Sequence, residues 1–311
     1  METTMLGRTG LVVSVMGLGC GGHSRLGMSR GKTEEEAGQI VRAALDLGIN
    51  FIDTAEGYRT EGAVGLGCKG VPRDRIVLST KAGVDWQDRR CTAAEYKERV
   101  NACLTRLQTD YIDVFHVHGV RIGDYEYARD ELVPVLLDLK SQGKIRFIGI
   151  TEAFAPDPSH QTLSQAIQDD CWDVMMVGFN ILNQSARERV LKTTKRKGIG
   201  TLCMFAVRRA LSQPAALREL IAQMTDQGLV CGINLEDPLG FLMKDGAAAS
   251  VQEAAYRFCR WEPGMDVVLS GTGSIDHLRE NAESLSRPPL PPEVVERLKA
   301  MFVGVDSVSG N

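Results

Sequence analysis

Short apolar runs alternate with amphipathic stretches along almost the whole chain. The runs are Leu11–Met16, Asn50–Asp53, Ile76–Thr80, Ile112–Val117, Phe147–Thr151, Val174–Phe179, Gly200–Phe205 and Val267–Ser270. Most are rich in Val, Ile and Phe, as strands covered on both faces should be. Between them, Thr33–Leu47, Thr92–Leu107, Tyr127–Gln142, Asn183–Lys197 and Ser274–Leu285 read as helices. Thr33 followed by Glu36 has the form of a capping box, and Gly48 that of a helix stop. Strand-like and helix-like segments in βα order predict a parallel sheet. A doubly wound open sheet gives a similar string, but eight strands favour closure into an α/β (β/α)8 TIM barrel. The expectation is one domain over residues 1–311, with a loop insertion at about 226–250. An irregular tail follows from about 288, opened by Pro288, Pro289, Pro291 and Pro292.

A length of 311 residues is normal for one such barrel, and 43% hydrophobic with 24% charged residues is ordinary for a globular chain. A net charge of -4 provides no basic face for nucleic acid and no polybasic membrane patch. The apolar stretch Leu11–Gly22, with Cys20, imitates a signal peptide. It is short and broken by glycines, and Glu2 offsets Arg8, so it is read as the strand that opens the barrel. No stretch reaches the ~18 apolar residues that span a membrane. The eight cysteines include no CxxC pair, which suggests reduced thiols and a cytoplasmic setting.

Chemistry on a parallel barrel gathers where its strands end. The second strand runs into Asp53-Thr54-Ala55-Glu56-Gly57-Tyr58, the third ends around Lys81, and the fourth ends at His116-Val117-His118. Closure would bring Asp53, Tyr58, Lys81 and His118 to one mouth. A free tyrosine, with a pKa near ~10, carries protons poorly at neutral pH. A neighbouring Lys81 ammonium stabilises its phenolate, Asp53 holds Lys81 charged, and His118 orients a carbonyl or shares the relay. One histidine and one carboxylate do not make a metal site.

These segments resemble the aldo-keto reductase family: an Asp, a Tyr five residues later, a Lys ending the third strand and a His ending the fourth. The resemblance extends through Leu6-Gly7-Arg8-Thr9-Gly10-Leu11, Gly143-Lys144-Ile145-Arg146-Phe147-Ile148-Gly149 and Leu269-Ser270-Gly271-Thr272-Gly273-Ser274. It implies a barrel enzyme that moves a hydride between NADP or NAD and a small carbonyl or alcohol, with no Rossmann domain and no metal. His116 competes for the histidine role. The family's spacing, five residues after the strand aspartate Asp113, selects His118.

The cofactor side departs from the family's pattern. Its usual Ser-Asn after the fifth strand is replaced by Thr151-Glu152, and its glutamine on the sixth by Met176. Glu152 can accept from the nicotinamide amide; as an alternative it is a solvated loop carboxylate. Asn180, just past the sixth strand, either compensates or is structural. Met204 and Phe205 stand where a stacking tyrosine is common, and Arg208 and Arg209 follow, facing the pyrophosphate in this reading. The turn Gly271, Thr272, Gly273 and Ser274 resembles the phosphate-binding turn and helix start. Glu280 and Asn281 match adenine contacts. Relatives that prefer NADP often carry a cation near Gly273, so either cofactor stays open. The loop after His118, the 226–250 stretch and the tail are expected to shape the substrate pocket, with Tyr125 and Tyr127 as ring-facing aromatics. The rival readings are a nicotinamide-binding regulatory subunit with little turnover, and an aldolase using Lys81 or Lys144 as a Schiff base. A lysine kept charged by Asp53 disfavours the aldolase.

Overall fold

A computed structural model of the chain describes residues 1–244 and 246–310; Asp245, within the 226–250 stretch, and Asn311 lie outside the described residues. Eight strands close a parallel barrel in chain order. They are β1 (Met16–Gly19), β2 (Phe51–Asp53), β3 (Val77–Gly83), β4 (Ile112–Val120), β5 (Ile145–Glu152), β6 (Val174–Gly178), β7 (Gly200–Met204) and β8 (Val267–Ser270). The pairing of β8 with β1 completes the ring.

Two apolar layers hold the barrel. The outer one packs strand residues such as Ile52, Leu78, Phe115 and Ile148 against surrounding helices. The inner one fills the barrel with Phe51, Val77, Val114, Val174, Met176, Leu202 and Val267. Met176 is thus an interior packing residue. Helices start where their caps allow. Thr33 and Glu36 form a reciprocal capping box before Glu34–Asp46, and Thr92 and Glu95 do the same before Ala93–Leu107. Gly48, at φ +77°, turns the chain into β2.

Two expectations need correction. Most of Leu11–Met16 is not barrel strand: Val12–Ser14 pairs antiparallel with Thr3–Met5, and the barrel strand begins at Met16. Leu6, Leu11 and Val13 on this hairpin join the inner layer and plug the barrel. These three residues are therefore buried, as a strand's would be, but as a stopper, while Met5 and Val12 stay exposed. The tail is not irregular throughout either, because Pro292–Met301 is helical. Proline at a first helical position gives up no needed N–H, so the proline cluster starts a helix.

Candidate active site

Asp53 ends β2 and pairs in register with Ser79 of β3, while Lys81 pairs with His116 and Gly83 with His118 of β4. Alternation along the strands puts Ser79 and Lys81 on one face, and His116 and His118 likewise. The Lys81 ammonium is fully buried, and donates to Asp53 Oδ2 at 2.7 Å and to the Thr54 carbonyl at 2.6 Å. Burial opposes its charge, but Asp53 and then Tyr58 outweigh that and hold the Lys81 pKa above its ordinary value. Burial also lifts the Asp53 carboxyl despite the ammonium beside it. The proton stays on the amine, since two oxygens accept from it and removing either charge would strand the other.

Tyr58 sits on the one-turn helix Glu56–Tyr58 that follows β2, with its side chain partly exposed at the mouth. Its hydroxyl lies 3.3 Å from His118 Nε2, and Lys81 Nζ lies 5.0 Å from its ring centre. Lys81 pulls the phenol pKa down as the sequence suggests, but burial is the larger influence and the net direction is upward. The phenol is therefore a protonated donor. Burial, then Lys81 and Arg99, push His118 down to about 3, so its imidazole is neutral.

His116 is placed inside the barrel, and the groups that escaped the sequence reading, Ser79, Arg99 and Glu56, brace this set. Ser79 Oγ donates to Asp53 Oδ1 at 2.7 Å and stands 3.3 Å from His116 Nδ1. With its proton given to Asp53, the serine accepts from His116, which fixes that imidazole in the Nδ1–H form. His116 is buried inside the barrel, its ring lodged where Gly149 has no side chain, and its Nε2 has no partner among the described residues. Arg99 clamps both oxygens of Glu56 and donates to the Gly83 carbonyl at 2.9 Å. It thereby fixes the turn that carries Tyr58. An acidic residue midway between Asp53 and Tyr58 was the available sign of such a clamp.

The opposite arc of the mouth is built differently. Thr151 Oγ1 accepts from the Gly119 amide at 2.7 Å. Glu152 is neither an open ligand nor a solvated carboxylate: it is buried, accepts from the Gly178 amide at 2.8 Å, and meets His160 Nδ1 at 2.9 and 3.0 Å. Both oxygens are occupied by protein. His160 stacks on Phe154, Phe154 on Phe205, and Arg208 lies 3.9 Å over the Phe205 ring. Phe205 itself has φ +69°, a conformation a bulky residue keeps only under constraint. Met204 is half-buried against the inner layer, and Arg209 is exposed. Asn180 is structural, joining Phe205 and Ser309 carbonyls and the amides of Leu182 and Asn183.

At the end of β8, Thr272 Oγ1 accepts from the Ser274 amide, and Ser274 caps the helix Ile275–Ser286 by accepting from His277. Gly271 is exposed toward solvent and has no room for a side chain, since a Cβ would lie 2.8 Å from the Gly19 carbonyl. An open helix N-terminus reached over glycines, beside a mouth walled by Phe205 and Arg208, fits a dinucleotide. A Cβ on Gly273 would lie 2.8 Å from both Cα and N of Gly27, so this position excludes a cation. Glu280 is exposed on the same helix, whereas Asn281 turns inward and donates to Ser270 Oγ at 2.9 Å.

Tyr125 is not a pocket aromatic. It is fully buried, donates to Asp169 and accepts from Trp172. Tyr127 is partly exposed and donates to the Cys91 carbonyl. The Pro288 and Pro289 carbonyls are held by Arg257; among the described residues, Val308–Gly310 of the tail are held beside Phe205 and Arg208 by Asn183, Asn180 and Ala210. Among the described residues no three His, Cys, Asp or Glu side chains converge as metal ligands. Nor is any helix among them long and apolar enough to cross a membrane.

The model of the Aldo/keto reductase family matches residues 16–302. The chain is 28% identical to the uncharacterized oxidoreductase YqkF of Bacillus subtilis, over 96% of each. It is 31% identical to the aldo-keto reductase YhdN of the same organism, over 90% of this chain and 88% of that one. Among solved structures, the holo form of aldo-keto reductase AKR11C1 from Bacillus halodurans superposes with a TM-score of 0.74 at 26% identity, covering 99% of this chain and all of that one.

Proposed function

The chain belongs to the aldo-keto reductase family and is an oxidoreductase of the NAD(P)-using kind; from that premise we propose that it reduces the carbonyl of a small aldehyde, ketone or sugar, or runs the reverse oxidation, with Tyr58 as its acid/base. The observation that carries this is the Tyr58 hydroxyl, 3.3 Å from a neutral His118 and above the buried Lys81–Asp53 pair. A carbonyl oxygen at the mouth would accept hydrogen bonds from Tyr58 and from His118, which together set its orientation. The cofactor, when bound, supplies or takes the hydride at the carbonyl carbon. As the C=O π pair moves onto oxygen, Tyr58 gives that oxygen its proton. Lys81 then stabilises the phenolate until solvent reprotonates it. Phe205, Arg208 and the Gly271–Ser274 turn would hold the cofactor, with Thr151 and Met204 beside the ring. Glu152 would act on that pocket only through Gly178, His160 and the aromatic stack.

Residues 1–311 are read as one domain because barrel and helices run through to Met301. Eight unpaired cysteines suit a reducing compartment such as the cytoplasm.

The test is a panel of aldehydes, ketones and sugars assayed with NADPH and NADH, for wild type and Tyr58→Phe. Turnover falls by about a thousandfold or more in the variant, while the cofactor dissociation constant stays within about twofold. Retained kcat in Tyr58→Phe overturns the acid/base role. Binding without turnover of any panel member favours the regulatory reading instead.

A further inference from the structure

We propose that the loop after β1, residues 20–32, supplies the cations that read the adenosine phosphate of the cofactor, with Lys32 and Arg25 discriminating NADP(H) from NAD(H). The inference rests on the cofactor reading above and adds a recognition element outside the β8 turn.

The argument starts from a steric exclusion. Position 273 has no space for a side chain because the backbone of Gly27 lies on it. The segment responsible is unusual. Arg25, Leu26 and Gly27 have φ values of 44°, 56° and 87°, three left-handed residues in succession, two of which carry side chains. Such a conformation costs about 1–2 kcal/mol per non-glycine residue and persists only where the surroundings enforce it. Leu26 supplies the enforcement, being fully buried as an anchor, and the Gly27 amide donates to Ser24 at 2.7 Å. The strained backbone presses Gly27 onto the phosphate-turn candidate.

The same segment brings charge. The stem of Lys32 lies across Gly27, so that a Cβ there would be 2.4 Å from its Cδ and 2.8 Å from its Cε. One glycine therefore separates the lysine stem from Gly273, and the ammonium is one bond further along. Arg25, two residues before Gly27, is exposed beside it. Among the described residues neither Arg25 nor Lys32 forms an ion pair. Of the acids that follow, Glu36 closes the Thr33 cap, Glu34 lies against Gly62, and Glu35 is exposed on the first turn of the helix without an ion pair to either cation. Arg279, on the helix itself, is paired with Asp276 at 3.2 Å. The unpaired cations at this turn thus belong to the loop.

Its geometry also permits entry. Gly22 and Gly31, at φ +69° and +92°, flank the segment with nothing packed where a Cβ would stand. Near its start, Gly21 packs on the Tyr58 ring, 2.5 Å from a Cβ position to Cε2. The loop therefore touches the proton donor at one end and the phosphate turn at the other.

The experiment measures dissociation constants for NADPH, NADH and adenosine 2′,5′-bisphosphate by fluorescence titration and competition. The proteins are wild type, Arg25→Ala/Lys32→Ala and Lys32→Glu, each checked for an unchanged melting curve. Both side chains are exposed, so folding is not at risk. The double variant weakens NADPH and the bisphosphate by about tenfold, leaves NADH within about twofold, and flattens the salt dependence of NADPH binding. Unchanged affinities, or equal losses for NADPH and NADH, overturn the assignment. Failure of wild type to bind either nicotinamide cofactor overturns the cofactor reading itself, and this inference with it.

Discussion

Around the mouth, the arc from β2 to β4 and the arc from β5 to β8 hold their functional groups by different means. In the first, side chain meets side chain: His116 to Ser79, Ser79 to Asp53, Asp53 to Lys81, and Tyr58 to His118, all within 3.3 Å. In the second, backbone amides, the Phe205 ring and Arg208 line the mouth. The buried carboxylate there, Glu152, is turned inward beneath them. Proton transfer needs a given atom type at a given point, which constrains residue identity. Cofactor binding needs a shaped surface, which many residue combinations can make, provided something rigid stands behind it.

That contrast can be broken at its strong end first. Lys81→Met is expected to cut kcat by about 10²–10⁴-fold, with residual activity at least as low as that of Tyr58→Phe. Asp53 loses its partner in that variant, so thermal stability is measured beside the kinetics to separate the two effects. Wild-type kcat in Lys81→Met would mean that the first arc is not built around the ammonium.

A smaller and opposite pattern is expected from the second arc. Glu152→Ala should lower unfolding free energy by about 3 kcal/mol, because a buried partner is left behind. Cofactor affinity weakens as the stack of His160, Phe154 and Phe205 loosens, whereas kcat at saturating cofactor changes less than about threefold. Denaturant unfolding and cofactor titration on one preparation decide it. A large kcat loss with normal affinity would place Glu152 in the chemistry and erase the distinction.

The mildest test uses pH. The folded pKa of His118, about 3, lies below the ordinary value of an unfolded histidine near ~6.5. The unfolded chain therefore binds a proton in this window that the folded chain does not. Stability from this group is complete above the unfolded pKa and is lost as pH falls toward the folded one. Melting temperature should drop more steeply between pH 7 and pH 4 in wild type than in His118→Gln. For the reaction, a Tyr58 pKa above its usual value means that carbonyl reduction keeps its acid through the neutral range and loses it only at alkaline pH. Parallel melting curves for the two proteins would contradict the neutral imidazole.

The same division explains what could be read from residues alone. Asp53, Lys81 and His118 stand at or beside the ends of apolar runs, and strand ends were legible because a short run buried on both faces is a local signal. Glu152 was not legible, since its partner His160 lies eight residues on, past a loop whose path depends on tertiary packing. Tyr125 looked like a loop aromatic until Asp169 and Trp172 closed over it. Gly273 offers the sharpest instance. The absence of a cation there is visible in the sequence, but its cause is a backbone nearly 250 residues earlier in the chain.

The hairpin stopper has a consequence for exchange with solvent. With Leu6, Leu11 and Val13 packed into one end, the buried Lys81 ammonium lies toward the open mouth, beneath the Tyr58 ring. Any ligand that covers the mouth then isolates the Lys81 protons from bulk. Their lifetime against deuterium would lengthen with occupancy, so a chemical group that never touches the ligand becomes a clock for how often the mouth opens.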